Sequence, residues 1–235
     1  MAILVRDVTI VVVAPNHSAG ALSQSFLRDS GIVPGEWSVV GSPITTELLS
    51  QVVYGNGVQI VATPDHRLTF SEVVNRTVGK NESLPVRISG VAERYLRLSP
   101  YLRCTAVGIN LACSAAIRLL ASESGSPILG RFIVDGPWKL FEGGEPAAAV
   151  RFGFARPDRG LLTVSIEDTL DERGVVQPDQ VSISTNFHHG IEEDLSSTES
   201  LNRAIEIVSR ASEDIATTRA LITETLLPQD QESVR

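Results

Sequence analysis

The chain has 235 residues, with 28 Asp and Glu against 20 Lys and Arg, for a net charge of −8 and a sequence pI near 5.1. Phosphate backbones are held by clustered cationic side chains. The only lysines are Lys80 and Lys139 and no basic run occurs, so nucleic acid and anionic membrane surfaces are excluded as expected partners. Hydrophobic residues make up 43% of the chain but aromatic residues only 5%, so aliphatic side chains are expected to fill a core that needs no staples.

The N-terminal stretch does not read as a signal peptide or an anchor. Arg6 and Asp7 interrupt its apolar run, and Val8–Ala14 falls short of the roughly 20 residues that span a bilayer. It predicts a buried strand covered on both faces in a cytoplasmic protein. Pro15 stops it, and Ser18 is placed to cap a helix running to Arg28 with Leu22, Phe26 and Leu27 inward. After Gly31, Pro34 and Gly35, Trp37–Val40 predicts a short strand. Leu48–Tyr54 fits helix or strand. Gly55–Asn56–Gly57 predicts a hairpin, because Asn and Gly tolerate positive φ, with Val58–Ala62 as the return. Pro64–Asp65 turns the chain into Arg67–Phe70.

Pro85–Leu98 has a helical repeat, with Ile88, Val91, Ala92 and Tyr95 on one side, and Pro100 ends it. Leu102–Leu111 predicts the next strand. Cys104 and Cys113 lie nine residues apart in one apolar stretch. Along a single strand that is about 30 Å with side chains on opposite faces, which no disulfide bridges. They are expected as buried thiols in a reducing compartment.

A Ser- and Gly-rich break at Ser122–Pro127 separates residues 1–121 from 128–228. Beyond it Ala149–Ala155, Leu161–Asp168 and Gln180–His189 alternate apolar and polar. Val150, Phe152, Phe154, Leu162, Val164, Ile166, Val181, Ile183 and Phe187 are expected on the inner face of an antiparallel sheet whose other face is wet. A helix is expected over Thr198–Leu227, opened by a Ser196–Glu199 capping box. Leu201, Ile205, Val208, Ile215, Ile222 and Leu226 form its apolar stripe, interrupted by Ser212 and Arg219. At 1.5 Å per residue such a rod is about 45 Å long, against a radius of gyration near 14 Å for each half. Part of the stripe is therefore expected to overhang and seek another surface. A polar tail, 229–235, follows. The fold class expected is α+β: two lobes of mainly antiparallel sheet, each with packed helices, ending in a long C-terminal helix. Each half runs from strands to a helix and contains a Pro-Asp turn (Pro64–Asp65, Pro157–Asp158), the pattern of an internal repeat.

Thr105–Ala106–Val107–Gly108–Ile109–Asn110 after a helix, the later antiparallel strands, and a C-terminal helix ending in Ile222–Thr223–Glu224 together resemble a sporadically distributed, uncharacterised bacterial family of two-lobed α+β proteins. The resemblance implies that layout and no catalytic residues.

The candidate chemistry is sparse. Asp65–His66 pairs a carboxylate with an imidazole, but a general base is oriented by a carboxylate from a distant residue, and Pro-Asp is ordinary turn chemistry. His188–His189, near Glu192, Glu193 and Asp194, point to opposite faces of a strand and do not share a metal; a solvated strand end is expected. Cys113–Ser114 lacks a nucleophile signature. Neither G-x-S-x-G nor a phosphate loop occurs. Glu142–Gly143–Gly144–Glu145 predicts a loop tip, and Trp37 and Trp138 fit core or interface positions. No catalytic residue, cofactor or metal is expected. The reading is a non-catalytic assembly protein that self-associates, as a homodimer, or docks on a larger complex through the long helix and a sheet edge or face. The alternative is a small-molecule enzyme or ligand binder with a cleft between the lobes, holding Asp65–His66 near Arg94, Glu93 or His17.

Overall fold

The opening apolar run forms β1 (Ile3–Val13), the strand on which both halves are hung. Arg6 and Asp7 do not interrupt it. A register shift between Val5 and Asp7 accommodates Arg6 in a bulge, and its guanidinium donates to Ser182 Oγ at 2.9 Å. The computed structural model describes residues 2–79, 82, 84–117, 126–133, 136, 146–156 and 160–227. Lys80, Lys139, Trp138, Glu142–Glu145, Pro157–Asp158 and the tail 229–235 lie outside them.

Eight further strands are β2 (Ile44–Thr45), β3 (Ser50–Val53), β4 (Val58–Ala62), β5 (Arg67–Val78), β6 (Ala106–Ala116), β7 (Ala149–Arg156), β8 (Gly160–Leu170) and β9 (Val176–Gly190). They form one antiparallel sheet in the order β2-β3-β4-β5-β1-β6-β9-β8-β7. The mixed α+β class is as the pattern predicts; the two-lobed layout is not what forms. β1 and β6 pair from Ile3↔Ala115 to Val13↔Ala106, and that ladder welds the halves into a single sheet. The halves nonetheless repeat a topology. Each begins with a central strand (β1, β6) and continues as a three-strand meander whose last strand returns beside the first (β3-β4-β5, β7-β8-β9). Each then closes with a helix, α2 (Arg87–Arg97) or α4 (Ser197–Ser209).

The Gly55–Asn56–Gly57 hairpin forms as predicted: Tyr54 N–H donates to Val58 O at 2.8 Å, and Gly57 sits at φ 84°. Trp37–Val40 is not a strand and contributes only a bridge between Val39 and Tyr54. Ser18 opens a short 3-10 turn at Ala19–Ala21, whereas Ser23 caps α1 (Gln24–Asp29) by accepting from Phe26 N at 3.1 Å.

The helices lie on one face. α2 buries Ile88, Val91, Ala92, Tyr95 and Leu96 against β1, β5 and α4. α3 (Pro127–Phe132) packs on β7, β8 and β9. Beneath them sit Ile3, Val5, Val8, Ile10 and Val12 of β1, Leu68 and Phe70 of β5, Ile109 and Leu111 of β6, and Val181, Ile183 and Phe187 of β9. β1 is central, and among the described residues helices cover it on that face alone; Thr9, Val11 and Val13 on the other are half-buried. At the middle of the open face Asn186 donates to Asn110 Oδ1 at 2.6 Å.

The expected C-terminal rod is broken. α4 ends at Ser209, Arg210 turns at φ −96°, ψ 8°, and α5 (Ala211–Ala220) starts afresh, widening into a π-helical turn at Leu221–Leu226. Ser209 Oγ donates back to Glu206 O at 2.8 Å, a bond that bends helices. The break lets α5 fold onto β6 instead of overhanging. The Ser196–Glu199 capping box does form. Arg219 is itself buried and donates to the carbonyls of Glu82 and Gly79, pinning the β5–α2 connection. No helix among the described residues is long and apolar enough to cross a membrane.

Candidate functional site

The stripe on the broken rod is covered by its own chain. Leu201, Ile205, Val208, Ile215, Ile222 and Leu226 are all at most 8% exposed and belong to the main core cluster. They therefore offer no free surface in the folded chain, and the stripe does not overhang as a seam.

The histidines divide. His66 lies in an exposed turn at φ 62°. Beside it Asp65 accepts from Thr63 Oγ1 and pairs with Arg67 Nε at 2.9 Å. The Thr63 bond and then the Arg67 charge hold the Asp65 carboxyl below its ordinary value. His17 is buried, with Nε2 2.7 Å from Tyr95 Oη. Burial, and secondarily the His66 charge, keep its imidazole below the ordinary range. Arg94 and Glu93 are engaged elsewhere: Arg94 Nε donates to Ile32 O at 2.8 Å, and Glu93 pairs with Arg97 at 2.7 Å. Arg94 and Glu93 thus do not gather about Asp65–His66, whereas His17 lies near enough to feel the His66 charge.

His188 is exposed on the open face. His189, expected as solvated, is buried, stacked on Phe187 at 4.7 Å and bonded through Nε2 to Asp214 at 2.9 Å. A buried His–Asp pair invites a catalytic reading, but the space beside it is only about 30 Å³. Glu206 there is already held by Arg203 at 2.6 Å and Arg210 at 2.9 Å. That volume holds about one or two waters, so the pair acts as a strut from β9 to α5. Cys104 and Cys113 are free, buried thiols, each pushed up to about 12 by burial. Among the described residues no three His, Cys, Asp or Glu side chains converge as a metal site.

Among the described residues the outer edge of β7 has no partner strand. Asp168 N–H donates to Ala148 O at 3.0 Å. Alternation from that pair along an unbroken register bonds Val150, Phe152, Phe154 and Arg156 to β8. The N–H and C=O groups of Ala149, Arg151, Gly153 and Ala155 then point away from the sheet. All four residues are exposed. Gly153 has no side chain, so its exposure is that of backbone. The strand contains no proline, lysine or bulge, the usual guards of an edge. Its counterpart in the first half, β3, is covered: β2 pairs with it, and Val40 N–H donates to Val53 O at 2.8 Å. Among the described residues nothing takes that place on β7. On the helix side Phe152 and Phe154 are half-buried and stacked at 6.3 Å, with Phe132 5.5 Å from Phe152. The alternation of Ala149–Ala155 predicts a strand but not its place at the margin of the sheet. The available signal was glycine between two phenylalanines in an alternating strand, which marks close backbone approach.

No protein-family model matches the chain, and no curated protein matches it.

Proposed function

We propose that this chain is a non-catalytic assembly protein that pairs with a second copy of itself through the outer edge of β7. The observation that carries the reading is the exposed backbone at Gly153 on an eight-residue, unbulged edge strand.

Two-fold antiparallel pairing centred on Gly153 is self-complementary. Each Phe152 falls opposite the partner's Phe154 on the helix side, and cross-strand aromatic pairs stabilise sheets. Each Arg151 falls opposite the partner's Ala155, so the two arginines do not meet. The outward N–H and C=O groups of Arg151, Gly153 and Ala155 in both copies are satisfied, and the two sheets become one. The interface is isologous, as closed dimers require.

Light scattering across a concentration series tests it. The full chain is expected at twice its 25.3 kDa mass. Gly153→Lys sets two like charges at the dyad, and Ala155→Pro removes an outward N–H that β8 does not use. A Cβ at position 153 meets only Leu161 Cδ1 at 3.9 Å, so the first substitution fits the monomer. Both variants are expected to be folded monomers by circular dichroism. A monomeric wild-type chain at every concentration, or a dimer indifferent to both substitutions, refutes the proposal.

A further inference from the structure

The face of the sheet away from the helices has a charge-free centre. Strand register aligns Gln59, Ser71, Thr9, Asn110, Asn186 and Thr163 in one row across six strands, from β4 to β8. The adjoining row crosses the same strands through Val11 and Gly108. Neither row holds an Asp, Glu, Lys or Arg, where an ordinary protein surface of that extent carries about three or four. The charges of this face, Arg6, Asp7, Arg67, Arg151 and Glu167, all stand outside both rows. In a chain of net charge −8, this is the surface on which two copies meet with least repulsion.

Gly108 supplies a second observation. It lies within a central strand at no positive φ, and a Cβ there would meet nothing nearer than Asn186 Nδ2 at 3.5 Å. Its own chain does not require glycine at that position, and glycine weakens a strand. Glycine inside a strand also marks the close approach of another backbone. Ala112 lies on the other side of Asn110 along the same face of β6, so β6 is low on both sides of the central row.

We propose that two edge-paired dimers stack through these open faces, sheet on sheet, giving four copies with the helices outside. The inference rests on the β7 reading, because stacking needs the edge pair first. The rows through Gly108, Asn110 and Ala112 span six strands about 4.8 Å apart and about 20 Å along them, roughly 600 Å². A standard interface takes about 800 Å² from each partner, so one face alone is too small. Edge pairing turns one copy about an axis perpendicular to the sheet and leaves both open faces on the same side. The pair then offers about 1,200 Å², which clears that requirement.

The central row also ends in register with Gly153, the centre of the edge pairing, through Thr163↔Gly153. A two-fold axis between the stacked sheets along this row meets the edge axis at Gly153, and the set closes at four copies. Each side chain of the row then faces its own counterpart. Asn, Gln, Ser and Thr both donate and accept, so each can bond to itself, whereas a charged residue would be repelled. The same axis sets Gly108 over the second copy's Ala112, small against small.

Light scattering across a concentration series, run on the full chain and on four variants, tests the stacking. The wild-type mass is expected to rise with concentration from twice to four times 25.3 kDa. Gln59→Lys and Ser184→Lys alter the open face on β4 and β9, away from β7, at half-buried and exposed positions that a lysine can occupy in the folded chain. Both are expected to remain at twice the chain mass at every concentration, with unchanged circular dichroism. Gly153→Lys and Ala155→Pro, which block the edge, are expected at the chain mass. A wild-type chain that stays at twice its mass overturns the stacking and leaves the β7 reading standing. Fourfold mass that survives both face substitutions also overturns it, as does a face variant that falls to the monomer. A wild-type monomer at every concentration refutes both readings together.

Discussion

Glu72 is the carboxylate whose removal should cost this fold most visibly. It sits on β5, 4% exposed, and reaches the start of α2. Its Oε2 accepts from Arg87 N at 2.8 Å and from Ile88 N at 3.4 Å, and its Oε1 accepts from Arg87 Nε at 2.6 Å. The local N-cap residue, Val86, has no side-chain oxygen to offer, so a strand residue caps the helix instead. Losing an N-cap acceptor costs about 1 kcal/mol. A charge-assisted bond adds about 1.5–3 kcal/mol when buried, discounted here because the Arg87 side chain is 45% exposed. Glu72→Ala should therefore destabilise the chain by about 2–3 kcal/mol, or roughly 4–12 °C in Tm for a domain of this size. Glu72→Gln keeps the shape and one acceptor and should cost about half as much. Urea denaturation followed by circular dichroism reads both. Arg87→Ala alone should cost less than Glu72→Ala, because the backbone donors keep their acceptor. Equal costs for the two, or a Glu72→Ala penalty under about 0.5 kcal/mol, within the ordinary scatter of surface changes, would refute the capping role.

Further outcomes follow from the same geometry. Arg219→Ala removes both donors to the Glu82 and Gly79 carbonyls and should cost about 2 kcal/mol, with faster amide exchange at the ends of the β5–α2 connection than elsewhere in β5. His17, held below its ordinary value by burial, favours the folded state while neutral. Below about pH 6.5 the unfolded chain takes up a proton that the folded chain refuses until its lower value is reached. Stability should fall as pH drops through that window, by up to about 1.4 kcal/mol per pH unit, and His17→Gln should flatten the slope in denaturant titrations between pH 7 and 5. Cys104 and Cys113, pushed up to about 12, should resist a thiol reagent at pH 8 in the native state and react fully in urea. Rapid labelling of the native chain would contradict their burial.

Periodicity alone was enough to place β4 and the α2 helix, the Gly55–Asn56–Gly57 turn, the Ser196–Glu199 capping box and the inward faces of β7, β8 and β9. These depend on neighbours within a few residues. Strand lengths were underestimated wherever a charge entered an apolar run, because a bulge at Arg6 and a buried Glu72 are satisfied only by partners distant in the chain, Ser182 and Arg87. The joining of the halves depended on β1 and β6, about a hundred residues apart, choosing each other as partners. The broken rod had the same origin. Its apolar stripe ran on through Arg210, and only the nearness of β6 made bending onto the core more favourable than projecting beyond it. The place of β7 at the margin of the sheet is likewise a product of tertiary structure. A strand's sequence specifies which side chains face the core, whereas its position at the margin of a sheet is set by what the rest of the chain has already covered.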